Sequence, residues 1–158
     1  PATHILDGVL IMITFEELNK QNHEITELTN LLSYLLADSA MFDTDICCDL
    51  FYRYVDRIKA HLDMVDQTYG GLLSNSDTKV NNTARMFMGG SQEIRRIFAQ
   101  YTKTWCEKRK HALHINNHDE FYEETSKMFD LILKRIHDET EHLYPLIREI
   151  KGDSQRAA

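Results

Sequence analysis

The sequence predicts an all-α fold, an antiparallel up-down-up-down four-helix bundle, and three observations carry that prediction. Glycine and proline are scarce, six and two in 158 residues, so few positions interrupt a helix. Apolar residues recur at three- and four-residue steps through four long segments. Short polar links separate those segments, as they do where successive helices turn back on their neighbours.

The first helix is expected to start near Phe15, because Thr14 and Glu17 have the spacing of a capping box. Its inward stripe is Leu18, Ile25, Leu28, Leu32 and Leu35, with position 21 or 22 filling the gap. The polar run 37–45 ends it and offers Asp43 or Asp45 as the next N-cap. The second helix runs from about Ile46, with Phe51, Tyr54, Ile58, His61 and Val65 on one face. Gly70 and Gly71 loosen its end, and residues 74–77 are a loop. The third carries Phe87, Ser91, Ile94, Phe98, Tyr101 and Trp105 in unbroken alternation of four and three. Residues 110–119 link it to the fourth, whose stripe is Phe121, Met128, Ile132, Ile136, Glu139, Leu143, Leu146 and Ile150. Pro145 falls inside that stripe and should kink its last turns. One bundle domain over 15–150 is expected, with residues 1–14 an N-terminal arm or leader (Met12 a candidate native start) and 151–158 a frayed tail.

Composition narrows the function classes. A formal charge of −7 argues against nucleic acid as the main partner. The basic run Lys108, Arg109, Lys110 reads as a complement to a helix C-terminal dipole. No apolar run approaches the ~20 residues of a membrane span, and the stretch 8–13 has no basic residue before it to make a signal peptide. Three cysteines are no disulfide framework and suit a reducing, cytoplasmic setting. Adjacent Cys47 and Cys48 read as small apolar residues at a helix start, with redox sensing as the alternative.

In antiparallel neighbours, residues equidistant from the turn lie side by side. Residues 22, 61, 90 and 137 then share one cross-section, each to within a few positions. Histidines lie at or near that level on three of the four helices, the layout of a metal site built from facing helices.

These residues also carry a family resemblance. The first helix reads LNKQNHEITELTNLL, similar to an I-D-x-Q-H-x-x-L opening with a later Asn and Leu. The second reads HLDMVD against H-F-x-x-E-E, and the fourth ends in LYP against L-F-P. Across nearly all of 15–150 the chain resembles the hemerythrin-like (HHE cation-binding) domain. That resemblance implies a four-helix bundle holding two carboxylate-bridged irons that bind oxygen or related small ligands. Position by position, most of that ligand set is substituted. Gln21 is followed by Asn22, with His23 one step late. His61 matches a ligand, whereas Val65 stands at the bridging glutamate. The third helix has Gly90 or Ser91 at its histidine position, and the fourth has Arg135 there with Glu139 as carboxylate.

Helical phase agrees. His23 is two residues from Ile25, a rotation of about 200°, and faces water. His137 and Glu141 flank Glu139 by two residues each, so their H-x-x-x-E box lies on the wet face as a local pair. His114 and His118 have clamp spacing, but 118 and 137 are roughly 28 Å apart along one helix. With His111 they read as a solvated connection, a surface zinc being the alternative.

What remains inside is a polar network of Gln21, Asn22, His61, Ser91, Arg135 and Glu139, in which His61 and Glu139 should bond directly or through water. They are also the candidate metal ligands. Gly89 and Gly90 cost about 1 kcal/mol each in mid-helix. They are offset either by close helix approach or by a small-ligand pocket beside Val65. The expected function is a hemerythrin-like, non-enzymatic binding, sensory or interaction module with an absent or reduced metal centre. The alternative is a non-heme iron protein that binds oxygen or nitric oxide through His23, His61, His137 and Glu141. A di-iron oxidase ranks third, because the second helix offers no inward acid to bridge two metals. The cofactor expectation is none, or a single iron or zinc ahead of two irons. A protein partner or a homodimer is expected, with neither nucleic acid nor membrane.

Overall fold

The structure, a computed structural model, describes residues 2–42, 44–146 and 148–149, with side chains from Phe15 onward. It is all-α, built on long helices that bury one stripe each. In chain order these are α1 (Ala2–Leu36), the short α2 (Ser39–Phe42), α3 (Asp45–Tyr69), α4 (Thr78–Trp105) and α5 (His118–Asp138). A π-helical turn, Glu139–Leu143, follows α5 directly. No helix among the described residues is long and apolar enough to cross a membrane. Asp43, Ile150 and the tail 151–158 lie outside the described residues.

Several boundaries differ from expectation. The helix does not begin at Phe15: α1 is continuous from Ala2. A capping box stops a helix only where the chain before it is non-helical, and residues 2–13 are mostly Leu, Ile, Met and other residues a helix accepts. The cap of α3 is Thr44, not a neighbouring aspartate; its hydroxyl accepts from the Cys47 amide at 3.3 Å and donates to the Met41 carbonyl at 2.8 Å. Thr44→Ala should therefore lower stability by about 0.5–2 kcal/mol, measurable as a shifted urea midpoint; an unchanged midpoint would remove the cap from the account.

The connection after α4 is more structured than a loop. Strands β1 (Cys106–Glu107) and β2 (Ala112–Leu113) pair antiparallel around a 3₁₀ turn, Lys108–Lys110. His111 takes the left-handed conformation (φ 50°) that closes this hairpin. The basic run is thus in the hairpin turn, and the cation in the last turn of α4 is Lys103. That corrects the dipole reading, because the macrodipole acts only within the final turn.

The core follows the stripes. Leu18, Ile25 and Leu32 of α1 are buried, as are Phe51, Tyr54, Ile58 and Val65 of α3. All six stripe residues of α4 are buried. Phe121, Met128 and Ile132 complete the set from α5. Cross-helix pairs lock the register: Glu24 to Arg57 and Thr29 to Tyr54 between α1 and α3, Asp66 to Arg95 between α3 and α4, and Ser91 to Arg135 between α4 and α5.

The irregularity near Pro145 has a definite form. Pro145 has no N–H and its ring crowds the carbonyl four residues back. The chain widens just before it: the Tyr144 amide bonds to the Glu139 carbonyl, five residues back. The expected kink is therefore a π turn. It carries Tyr144, which an α-helix would rotate about 140° from Glu139, round to the same buried side.

Candidate functional site

Six side chains singled out by the sequence meet in one network where α1, α3, α4 and α5 face each other. At its centre is Glu139, fully buried and set at the start of the π turn. His61 of α3, 2% exposed, places Nε2 2.6 Å from Glu139 Oε1 and 3.3 Å from Oε2. Its other nitrogen, Nδ1, lies 2.9 Å from Gln21 Oε1. An amide oxygen only accepts, so Nδ1 carries a proton and donates to Gln21. One further proton is then shared between Nε2 and the carboxylate, a short charge-assisted bond.

Arg135, 8% exposed, occupies the other side of Glu139. Its Nε donates to Glu139 Oε2 at 3.0 Å, one Nη to the Phe87 carbonyl at 2.8 Å and the other to Ser91 Oγ at 2.9 Å. The guanidinium carbon also lies 5.0 Å from the centre of the Phe87 ring, a cation–π contact. Each guanidinium nitrogen thus has an acceptor, the condition for burying a charge at modest cost.

Tyr144 completes the set and was not singled out by phase, because only the π turn brings it inward. The usable signal was Pro145 beside it. Its hydroxyl donates to Glu139 Oε1 at 3.4 Å and accepts from Asn22 Nδ2 at 2.9 Å. Burial first, and then the Glu139 carboxylate, hold its phenol above the ordinary tyrosine range; Tyr69, stacked 6.2 Å away, is raised by the same two causes. Tyr54 and Tyr101 are pushed up by burial as well. The folded chain keeps phenolic protons that the unfolded chain releases above about pH 10. Stability should be complete below that pH and fall above it, by up to about 1.4 kcal/mol per pH unit for each such tyrosine. Urea midpoints taken across that range check this, and a flat profile would contradict it.

Elsewhere the sequence reading divides. His23 is exposed and pairs with Glu27 at 3.1 Å on the wet face. His137 and Glu141 are exposed too. The alternative ligand set His23, His61, His137, Glu141 is therefore not gathered at one point. His111 stacks on Tyr52 (centroids 4.0 Å) and approaches Asp49 at 3.3 Å.

Val65, Gly89 and Gly90 do not line one pocket. Val65 is fully buried against Leu18, Tyr69, Phe87, Leu143 and Tyr144. Gly89 is exposed, with open space where a Cβ would stand. Gly90 has another role: a Cβ there would lie 2.8 Å from Arg135 Nη1. The missing side chain admits the guanidinium, so the expected cavity is filled from within the protein.

The residues present do not fit the two-iron centre that the resemblance implies. Among the described residues no cluster of three or more His, Cys, Asp or Glu could hold an ion. Two carboxylate-bridged metals need more ligands than His61 and Glu139 supply, and those two already engage each other. One polar atom of the network lacks a partner: Asn22 Oδ1, on a side chain 5% exposed. Comparison of the chain with protein families, curated proteins and solved structures finds no match.

Proposed function

We propose that this chain is a hemerythrin-like, antiparallel up-down-up-down four-helix bundle acting as a non-enzymatic binding, sensory or interaction module, its metal centre replaced by a self-satisfied polar core. The antiparallel topology is supported by the cross-helix pairs: as residue numbers rise on α1 from Gln21 to Glu24 to Thr29, their α3 partners fall from His61 to Arg57 to Tyr54. One observation carries the functional reading. Arg135, at the position where the resemblance expects a histidine ligand, turns its guanidinium onto Glu139, Ser91 and the Phe87 carbonyl. A fixed organic cation supplies the positive charge that a carboxylate–histidine core otherwise takes from a metal. The three cysteines suit a reducing, cytoplasmic setting.

Metal analysis after expression with added iron tests this. The expected result is well under one iron or zinc per chain, no oxo-to-iron charge-transfer absorption, and a melting temperature indifferent to chelator. One or more tightly held irons with that absorption would overturn it. A second reading, a single iron or zinc on His61, Glu139 and an amide oxygen, is favoured by the buried, unpartnered Asn22 Oδ1. It requires His61 to leave Glu139, and a stoichiometric single ion that Asn22→Leu removes would select it.

A further inference from the structure

A groove of about 720 Å³ runs between α3 and α4 down to the hairpin, on a different part of the surface from the polar core. Its floor is apolar and already well packed, with Ile58 and Leu62 from α3 and Phe98 from α4. Its rim is basic. Lys59, Lys103, Lys108 and Arg109 line it and are all exposed.

The rim's charges are unevenly matched. Arg95 is neutralised by Asp63 at 2.8 Å and Asp66 at 3.1 Å. Glu107 faces Lys110, outside the groove, at 3.8 Å. Among the described residues the other four cations take part in no ion pair. Within the groove, burial holds the Cys106 thiol up, opposed first by its hydrogen bond to Tyr52 and then by the charges of Lys108 and Lys59. In a chain of net charge −7, a cluster of four unmatched cations from three separate elements is a local reversal of sign. Such a reversal attracts an acidic partner and fixes its orientation.

We propose that this groove docks an acidic peptide segment of a partner protein, laid along α4 with its carboxylates against Lys59, Lys103, Lys108 and Arg109 and its apolar side chains over the floor. Shape selects this occupant. From Arg95 to Lys103 the groove follows about two turns of α4, roughly 12 Å, a length that suits a short peptide segment. Its concavity excludes a flat membrane surface from the floor. Its one aromatic ring, Phe98, is buried and gives no base-stacking platform. The inference gives the interaction module of the preceding reading a partner class, but its test is separate: peptide binding and metal content are measured independently, so each can fail alone.

The probe is a fluorescein-labelled, 16-residue helical peptide of glutamate and leucine, titrated with the full chain and followed by anisotropy. Its lysine–leucine counterpart and 4:1 phosphatidylcholine–phosphatidylserine vesicles serve as comparisons. Binding of the acidic peptide is expected with a Kd below about 100 µM, weakening as salt is raised. Lys103→Glu with Arg109→Glu should weaken it at least about tenfold, whereas Lys134→Glu, outside the groove, should not. These residues are exposed, so far-UV circular dichroism should confirm that each variant folds. Unsaturated binding at millimolar chain, equal binding of the lysine peptide, indifference to the double charge reversal, or preference for the vesicles would overturn the proposal.

Discussion

Glu139→Gln should lower the unfolding free energy by about 3–5 kcal/mol, the cost of leaving a buried charge without its counter-charge. The carboxylate accepts from Arg135 on Oε2, from Tyr144 on Oε1, and shares a proton with His61. An amide of the same size turns one of its two ends from acceptor into donor. With the amide nitrogen toward Arg135 a donor faces a donor; with it toward His61, Nε2 gives up the shared proton and accepts, and in either orientation the guanidinium loses its only carboxylate. A single domain of this size has a total stability of about 5–15 kcal/mol, so the urea midpoint should move by about a fifth of its value or more. The triple variant His61→Leu, Arg135→Met, Glu139→Leu should by contrast fall within about 1 kcal/mol of the parent or exceed it, because exchanging a whole buried ionic group for apolar volume is commonly neutral or stabilising. That contrast separates a network needed for its internal pairing from one needed for its chemistry. If Glu139→Gln costs under about 1 kcal/mol, the pairing described here does not hold the core together.

The parts of this molecule that the sequence disclosed are those governed by helical period alone. The stripe from Phe87 to Trp105 was legible because α4 is uninterrupted from end to end, so counting in threes and fours keeps its phase. Counting also separated buried Glu139 from exposed His137 and Glu141, only two residues away on either side. It identified the meeting of Gln21, Asn22, His61, Ser91, Arg135 and Glu139, because the turn positions that the polar links mark decide which residues of successive helices face each other. What stayed hidden depends on events that period does not encode. The π turn inserts a residue and resets the phase, which is how Tyr144 reached the core unannounced. The extension of α1 to Ala2 was masked by a capping box with helical chain in front of it. The hairpin at 106–113 is too short to show alternation. The direction of a long flexible side chain was equally out of reach: nothing in the spacing says that Arg135 crosses to α4 and fills the space beside Gly90.

That crossing makes the two adjacent glycines of α4 opposite in their responses. Gly89→Ala should stabilise the chain by about 0.5–1 kcal/mol, because the site is exposed, nothing obstructs a Cβ, and alanine loses less backbone entropy in a helix. Gly90→Ala gains the same propensity but places a methyl 2.8 Å from Arg135 Nη1. A free side-chain tip would swing away. This one is held by the Phe87 carbonyl, Ser91 and Glu139, so relief of the clash breaks at least one charge-assisted bond inside the core. The net result should be a loss of about 1–3 kcal/mol. The cause can be isolated by a double-mutant cycle. With Arg135→Met in the background the obstruction becomes an unanchored thioether, and Gly90→Ala should change sign to a gain of about 0.5–1 kcal/mol, like Gly89→Ala. Urea unfolding of the four variants reads the cycle directly. A stabilising Gly90→Ala in the parent chain would mean that the guanidinium is not fixed against α4, and the replacement of a metal's charge by Arg135 would fall with it.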